Sequence, residues 1–283
     1  MAHPEAQIYS REFIRSFNQS VSLLSDRCTE EAMSFGRSAT FDVADLGGDL
    51  AQRSIDGRLP RLTSNDTQPV CTLEEYGGKM EVTSFEKFTS QSNEREKMYA
   101  KMMARANRRL DKNLITELDN ASTQYDSGNN PHTLNVDTLT DIVADLAQNE
   151  VDISPEDVTF LCTPKAARQI KKSAQYSSQD YVNVKPYSEG DQLTYGNKRQ
   201  IRVFADIGLI TSPLLPGMGT NAAKCFIFHR NAVGCAKPTE QMITTAGWDD
   251  QDHFHYCSSS IKLGHKILQN GGIFEVVHDD TAA

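Results

Sequence analysis

The residue types best suited to chemistry cluster near the end of the chain, in DDQDHFHYCSSSIKLGH. His253, His255 and Cys257 recur at every second position, and that period places side chains on one face of a β-strand. Imidazole nitrogen and thiolate sulfur are zinc ligands, so this face, joined by His265, supports a metal-dependent enzyme as a remote alternative function. A zinc site needs a third or fourth ligand of defined geometry, and no diagnostic spacing supplies one. An ordinary exposed strand face is the expected reading. Asp249, Asp250 and Asp252 offer hard carboxylates to a divalent cation, but the loop glycine and downstream glutamate of an EF-hand are missing. A solvated acidic turn is expected there. GxGxxG after a strand, a phosphate-binding GxxxxGK, HExxH and GxSxG are also missing. The sequence thus predicts no catalytic residue, no metal site and no cofactor.

A second chemical pattern is cationic. Met98, Met102, Ala106, Leu110 and Leu114 step by four, which predicts a helix from about Glu94 to Asn120 with Asn93 as its N-cap. At about 100° per residue, Lys97, Lys101, Arg105, Arg108, Arg109 and Lys112 fall within an arc of roughly 120° beside that apolar stripe. The strip is either a solvated face or a surface that meets phosphate or an acidic partner. The net charge of −9 argues against a general nucleic-acid binder, so any such contact must be local.

The elements that position these residues read as follows. Ile8, Phe13, Phe17, Val21 and Leu24 give helical spacing over 7–25, an amphipathic arm that must dock on something else. RSIDGRLPRL and PVCTLEEYGGKMEVTSFEKF look like two extended arms around TSNDTQ. Ser64, Asn65 and Asp66 supply turn chemistry, while Pro60 and Pro69 keep both arms out of a sheet centre. A polar break follows at 122–132. Residues 135–149 read as a helix with Leu139, Ile142, Val143 and Leu146 on one face. DVTFLCT is a buried strand, PKAARQIKKSAQY a helix opened by proline, and RQIRVFAD and KCFIFHRNAVGCA further strands. ITSPLLPGMGTNAA is a loop, and the C-terminal stretch reads as two strands around QNGG. The class is α+β. The 283 residues, 38% hydrophobic and 24% charged, suit a globular chain; six scattered cysteines read as free thiols. No window approaches the roughly 18 apolar residues of a membrane span. The first residues lack signal-peptide character, so export is not expected.

The order of these parts resembles the major capsid proteins of tailed double-stranded DNA bacteriophages, the Hong Kong ninety-seven type capsid fold. VCTLEEYGGKMEVTSFEKF resembles the return arm of that family's extended loop, and YAKMMARANRRLDKNLITEL its spine helix. LNVDTLTDIVADLAQNEVDISPEDVTFLCTPKAARQI is similar to its axial-domain stretch, and CFIFHRNAVGCA to its strand ending in an Ala-Val-Gly turn. The resemblance covers about residues 40–279 and rests on joint order more than on any strict motif. It implies an N-terminal arm (1–45), an extended hairpin loop (46–92), a peripheral domain (93–130 and 243–283) and an axial domain (131–242), with loops such as 211–223 approaching a capsomer axis. It also implies self-assembly through pentamers and hexamers, in the host cytoplasm, into an icosahedral shell around the DNA of a virion. The implied partners are a scaffolding protein, a portal protein, packaged double-stranded DNA held non-specifically and a candidate decoration protein, with no membrane. Because the arm begins almost at once, a separately encoded scaffold is expected. Phe13, Phe17, Ser64, Asn65, Asp66, Arg105 and Arg109 are the expected intersubunit contacts; Lys97, Lys101, Arg108 and Lys112 are the expected inner-face DNA contacts. An encapsulin-type nanocompartment protein is the alternative within the same fold.

Overall fold

The longest helix is the frame on which the rest hangs. The structure, a computed structural model, describes residues 21–33, 36–44, 49–50, 53, 59, 64–83, 94–125, 134, 136–172, 193–195, 199–204 and 207–281. Phe13, Phe17, Asn93 and most of 53–62 lie outside the described residues. Helix α1 (Glu94–Leu118) follows the predicted stripe, with Met98, Met102, Ala106, Leu110 and Leu114 all buried. Helices α2 (Val136–Gln148) and α3 (Pro164–Lys172) also fall where periodicity and the opening proline place them.

Thirteen strands are described. They are β1 (Thr29–Met33), β2 (Ser38–Thr40), β3 (Val70–Thr72), β4 (Glu74–Thr83), β5 (Val158–Cys162), β6 (Leu193–Tyr195), β7 (Arg199–Phe204), β8 (Ile207–Thr211), β9 (Ala223–His229), β10 (Val233–Pro238), β11 (Met242–Asp249), β12 (Phe254–Ile267) and β13 (Ile273–His278). One sheet runs β1-β10-β12-β11, with β4 also paired to β12; a second runs β13-β9-β5-β8-β7-β6; β2 and β3 form a short ribbon.

The second sheet is covered on both faces, which is why β5 is buried at every position and its sequence is nearly all apolar. Leu139, Ile142, Leu146 and Ile170 from α2 and α3 pack on one side with Phe160, Cys162 and Ile227. On the other side Leu161, Phe226 and Phe228 meet Leu114, Ile115 and Leu118 of α1. The opposite half of α1 lies on the first sheet, where Met98 and Met102 pack on Cys257, and Ala106 and Leu110 on Ile261 and Leu263. Helix α1 is thus shared by both sheets. Truncating Leu114 or Leu118, both at 0% exposure, removes about 2–5 kcal/mol of stability.

Three expectations are corrected, and one pairing is added. Residues 21–26 form turns, not the end of a helix, because their polar groups are claimed by Asp111 of α1. Near its base the return arm is paired with residues 38–43, which the sequence did not suggest: β2 pairs with β3, and Val43 with Thr67, while nearly all of 53–62 lies outside the described residues. Ile210 and Thr211, expected in a loop, belong to β8, which pairs in parallel with β5. The QNGG segment does not make a hairpin. A 3-10 turn at Asn270–Gly272 carries the chain from one sheet to the other, so β13 pairs with β9 and not with β12. Gly272 is needed for this crossing, since a Cβ there would sit 2.9 Å from the Ala232 Cβ.

Candidate assembly surfaces

The cationic strip is placed by helical geometry. Lys101, Arg105, Arg108 and Lys112 are exposed and Lys97 is half-buried. Arg109 departs from the strip. Its guanidinium carbon lies 3.8 Å from the centroid of the Tyr76 ring on β4, a cation–π contact within the chain. Its Nε is buried without a hydrogen-bond partner among the described residues. The Tyr76 hydroxyl in turn donates to Glu74. Arg109 therefore fastens α1 to β4, a role its place in the sequence does not show.

The extended arm is anchored more firmly than its composition suggests. Strand β4 pairs antiparallel with β12 over ten residues, from Glu74 opposite Leu263 to Thr83 opposite Phe254. Lys79 adds a cation–π contact, its Nζ 4.4 Å from the Phe254 ring centroid. At the base of the loop, Phe41, Ala39 and Cys71 pack on Met33 and Ala236. That packing depends on two glycines. A Cβ on Gly234 would lie 2.7 Å from the Phe41 ring, and one on Gly264 would meet Cys71 Sγ at 2.8 Å and the Thr72 carbonyl at 2.9 Å. Ser64, Asn65 and Asp66 are exposed just before Thr67, so they lead into the base ladder on the return side.

Two polar anchors were not foreseen. Asp111, fully buried in the middle of α1, accepts the Leu23 amide at 2.8 Å, the Leu24 amide at 3.2 Å and the Ser22 hydroxyl at 2.5 Å. The signal was present: Asp111 interrupts an apolar arc between Leu110 and Leu114, where a carboxylate survives only with partners. At the other end, buried Asp280 accepts the Thr163 hydroxyl at 2.6 Å and the Gly219 amide at 2.7 Å, while Lys165 donates to its carbonyl at 2.8 Å. His278 lies beside it, Nε2 3.4 Å from a carboxylate oxygen. The 212–222 loop is thereby tied to the C-terminal residues. Lys224 bridges Asp119 at 2.6 Å and Glu275 at 3.2 Å. Desolvation opposes its charge, but hydrogen bonds to Asp119 and Glu275 outweigh that and raise its pKa.

The expected strand face of metal ligands is dispersed. His253 sits in the turn at φ 52°, outside the strand. His255 packs on Trp248, ring centroids 4.5 Å apart. Cys257 is buried against Met98 and Met102. His265 is eight residues beyond Cys257, roughly 27 Å along an extended strand. It is buried beside Asn113, 3.3 Å away, and burial lowers its pKa to about 4. Among the described residues no three His, Cys, Asp or Glu side chains converge as a metal site. Asp249 is engaged by its own turn, accepting the amides of Gln251 and Asp252. The cysteines are free and buried; burial pushes the Cys225 and Cys235 thiols up to about 12, so they behave as small apolar groups. No described helix is long and apolar enough to cross a membrane.

The structure thus combines a loop held at its base, a long helix shared by two sheets and a strand that couples the loop to the C-terminal segment, a fold similar to that of tailed-phage capsid subunits. Solved structures agree. The chain is similar to the capsid protein of cyanophage P-SCSP1u, at 15% identity and TM-score 0.72, covering 98% of this chain and 93% of that one. It is similar to the head protein of a Helicobacter pylori bacteriophage, at 10% identity and TM-score 0.72, covering 97% and 94%. An encapsulin of Synechococcus elongatus shares the fold at 11% identity and TM-score 0.65, covering 98% and 94%. No curated protein matches by sequence. The family described as "Phage capsid protein" matches residues 4–280, so the chain belongs to the phage capsid protein family.

Proposed function

We propose that this chain is the main building block of an icosahedral shell that encloses double-stranded DNA, assembled from pentamers and hexamers in the host cytoplasm. The observation that carries the proposal is the family match over residues 4–280, joined to an extended arm whose described residues pair at the base and along β12. The encapsulin alternative keeps the same fold; the family match favours the viral one.

The domain division follows sheet membership in this proposal. Helix α1 and the first sheet form the peripheral domain, which takes in β1 and β10. The second sheet with α2 and α3 forms the axial domain, and β13 joins it. The 212–222 loop, tied to Asp280, approaches the capsomer axis. Scaffolding, portal and decoration proteins are the further partners of such a shell. Lys101, Arg108 and Lys112 are exposed and suit sequence-independent phosphate contacts that weaken with salt; Lys97 borders them.

Electron microscopy of the overexpressed chain, alone and with its neighbouring phage genes, tests the reading. Closed shells are the expected result. A chain that stays monomeric at tens of micromolar, with and without those partners, would overturn it.

A further inference from the structure

A cavity of about 390 Å³ opens between α1 and the β4–β12 pair. It opens where Gly78 on β4 and Ser259 beside it on β12 lie opposite Ala106 on α1, all three small. Crowding does not force Gly78, since a Cβ there would meet only Met102 at an ordinary 3.7 Å. Tyr76, Met102 and Ile261 also line it, and Arg105, exposed, and Arg109, half-buried, place two guanidinium groups at its edge. The volume lies in the range that accepts a small ligand or a large side chain.

The opposite chemistry is displayed at the β11–β12 turn. Trp248, the single tryptophan of the chain, is 40% exposed and is held between His253 and His255, centroids 6.1 and 4.5 Å away. Asp250 and Asp252 are exposed beside it. An indole flanked by carboxylates matches an apolar cavity edged by arginines, because Arg pairs with carboxylate and stacks on aromatic faces. The turn cannot reach its own cavity. Trp248 lies opposite His255, whereas the cavity opens at Ser259 and Ile261. Those positions are four and six residues further along the same strand, roughly 14–20 Å.

We infer that the Trp248–Asp252 turn of one copy docks in the Arg105–Arg109 cavity of a second copy. The inference rests on the shell reading and names one of its contacts. Because turn and cavity are different surfaces, the contact is heterologous and propagates from copy to copy, as ring and shell assembly requires. The arginine–aspartate pairs sit at a rim, so they set register and weaken with salt more than they supply affinity.

The lone tryptophan makes the contact directly observable. In shells of the unaltered chain, Trp248 emission should shift to the blue, and its acrylamide quenching should be at least halved relative to dissociated subunits. Arg105→Glu with Arg109→Glu should abolish that protection, as should Asp250→Arg with Asp252→Arg; combining all four should restore it. Since Arg109 also holds Tyr76, Gly78→Val provides a variant that fills the cavity without changing charge, and it should leave Trp248 quenchable. Where a variant does not assemble, copies carrying Asp250→Cys mixed with copies carrying Arg105→Cys should form intermolecular disulfides on oxidation, against a background of buried native thiols. Shells whose Trp248 is as quenchable as in free subunits would overturn the inference, as would shells lacking the disulfide. Protection that appears only when DNA is packaged would assign the cavity to phosphate and also overturn it. Absence of shells from the unaltered chain counts against the shell reading itself, and the two failures are thereby distinguished.

Discussion

Asp111→Ala tests whether the N-terminal approach is held by one buried carboxylate. The substitution strips the acceptor from the Leu23 and Leu24 amides and the Ser22 hydroxyl. A hydrogen bond to an ionised partner contributes about 1.5–3 kcal/mol, and bonds that share one acceptor do not add. The segment also has an escape, because residues 21–28 can detach instead of leaving three donors stranded. Detachment exposes Leu24, at 0% exposure, and costs about 1.5–3 kcal/mol for that side chain. It also breaks the 2.6 Å bond from Arg27 to the Glu156 carbonyl. The expected loss is therefore about 3–4 kcal/mol, confined to this segment unless α1 loosens with it. Amide exchange on dissociated subunits reads it directly: the Leu23 and Leu24 amides should exchange about a hundredfold faster or more, while β5 amides hold. Asp111→Asn keeps one acceptor oxygen but sets an amide against the remaining donors, and should cost about half as much. If Asp111→Ala leaves the exchange of both amides unchanged, the carboxylate is not the anchor and the reasoning fails.

Three further outcomes are expected. His265 is neutral in the folded chain, its pKa lowered to about 4 by burial, against about 6.5 unfolded; stability should be full above pH 6.5 and fall by about 3 kcal/mol as pH drops to 4. Urea titrations across that range should show this slope, and His265→Gln should flatten it. Gly264→Ala should destabilise by about 1–3 kcal/mol, because the Thr72 carbonyl it meets is backbone and cannot swing aside; a denaturation midpoint equal to the parent's would refute the packing argument. Removing 54–62, between the paired residues Val43 and Thr67, should leave the denaturation midpoint nearly unchanged yet prevent closed shells, as judged by sedimentation and microscopy.

What could be read from residues alone was local. The fourfold step from Met98 to Leu114 gave α1, and the unbroken apolar run VTFLC marked a strand covered on both faces. Failures came where a local signal met a distant partner. Asn-Gly-Gly after an apolar strand resembles a hairpin turn, but β13 finds a better-covered place beside β9. The sign was in IFEVVH, buried at five of six positions, whereas a half-exposed hairpin strand alternates. The spacing of Val21 and Leu24 suggested a helix, but Asp111 binds the backbone groups a helix would need. Arg109 looked like one more member of a basic face until Tyr76, remote in sequence, was brought beneath it. His253, His255 and Cys257 had the right period for one strand face, but the turn removes His253 and packing claims the other two.

The pairing of β4 with β12 has a consequence for synthesis. Strand β4 is made early, yet every described residue it pairs with lies between Phe254 and Leu263. Strand β1 waits for β10, and β9 for β13. At about 5–20 residues per second, the ribosome delivers those partners roughly ten seconds or more after β4 emerges. Neither sheet can close before the residues beyond 254 have been made, so the β4–β12 and β9–β13 pairings form late however early β4 and β9 emerge.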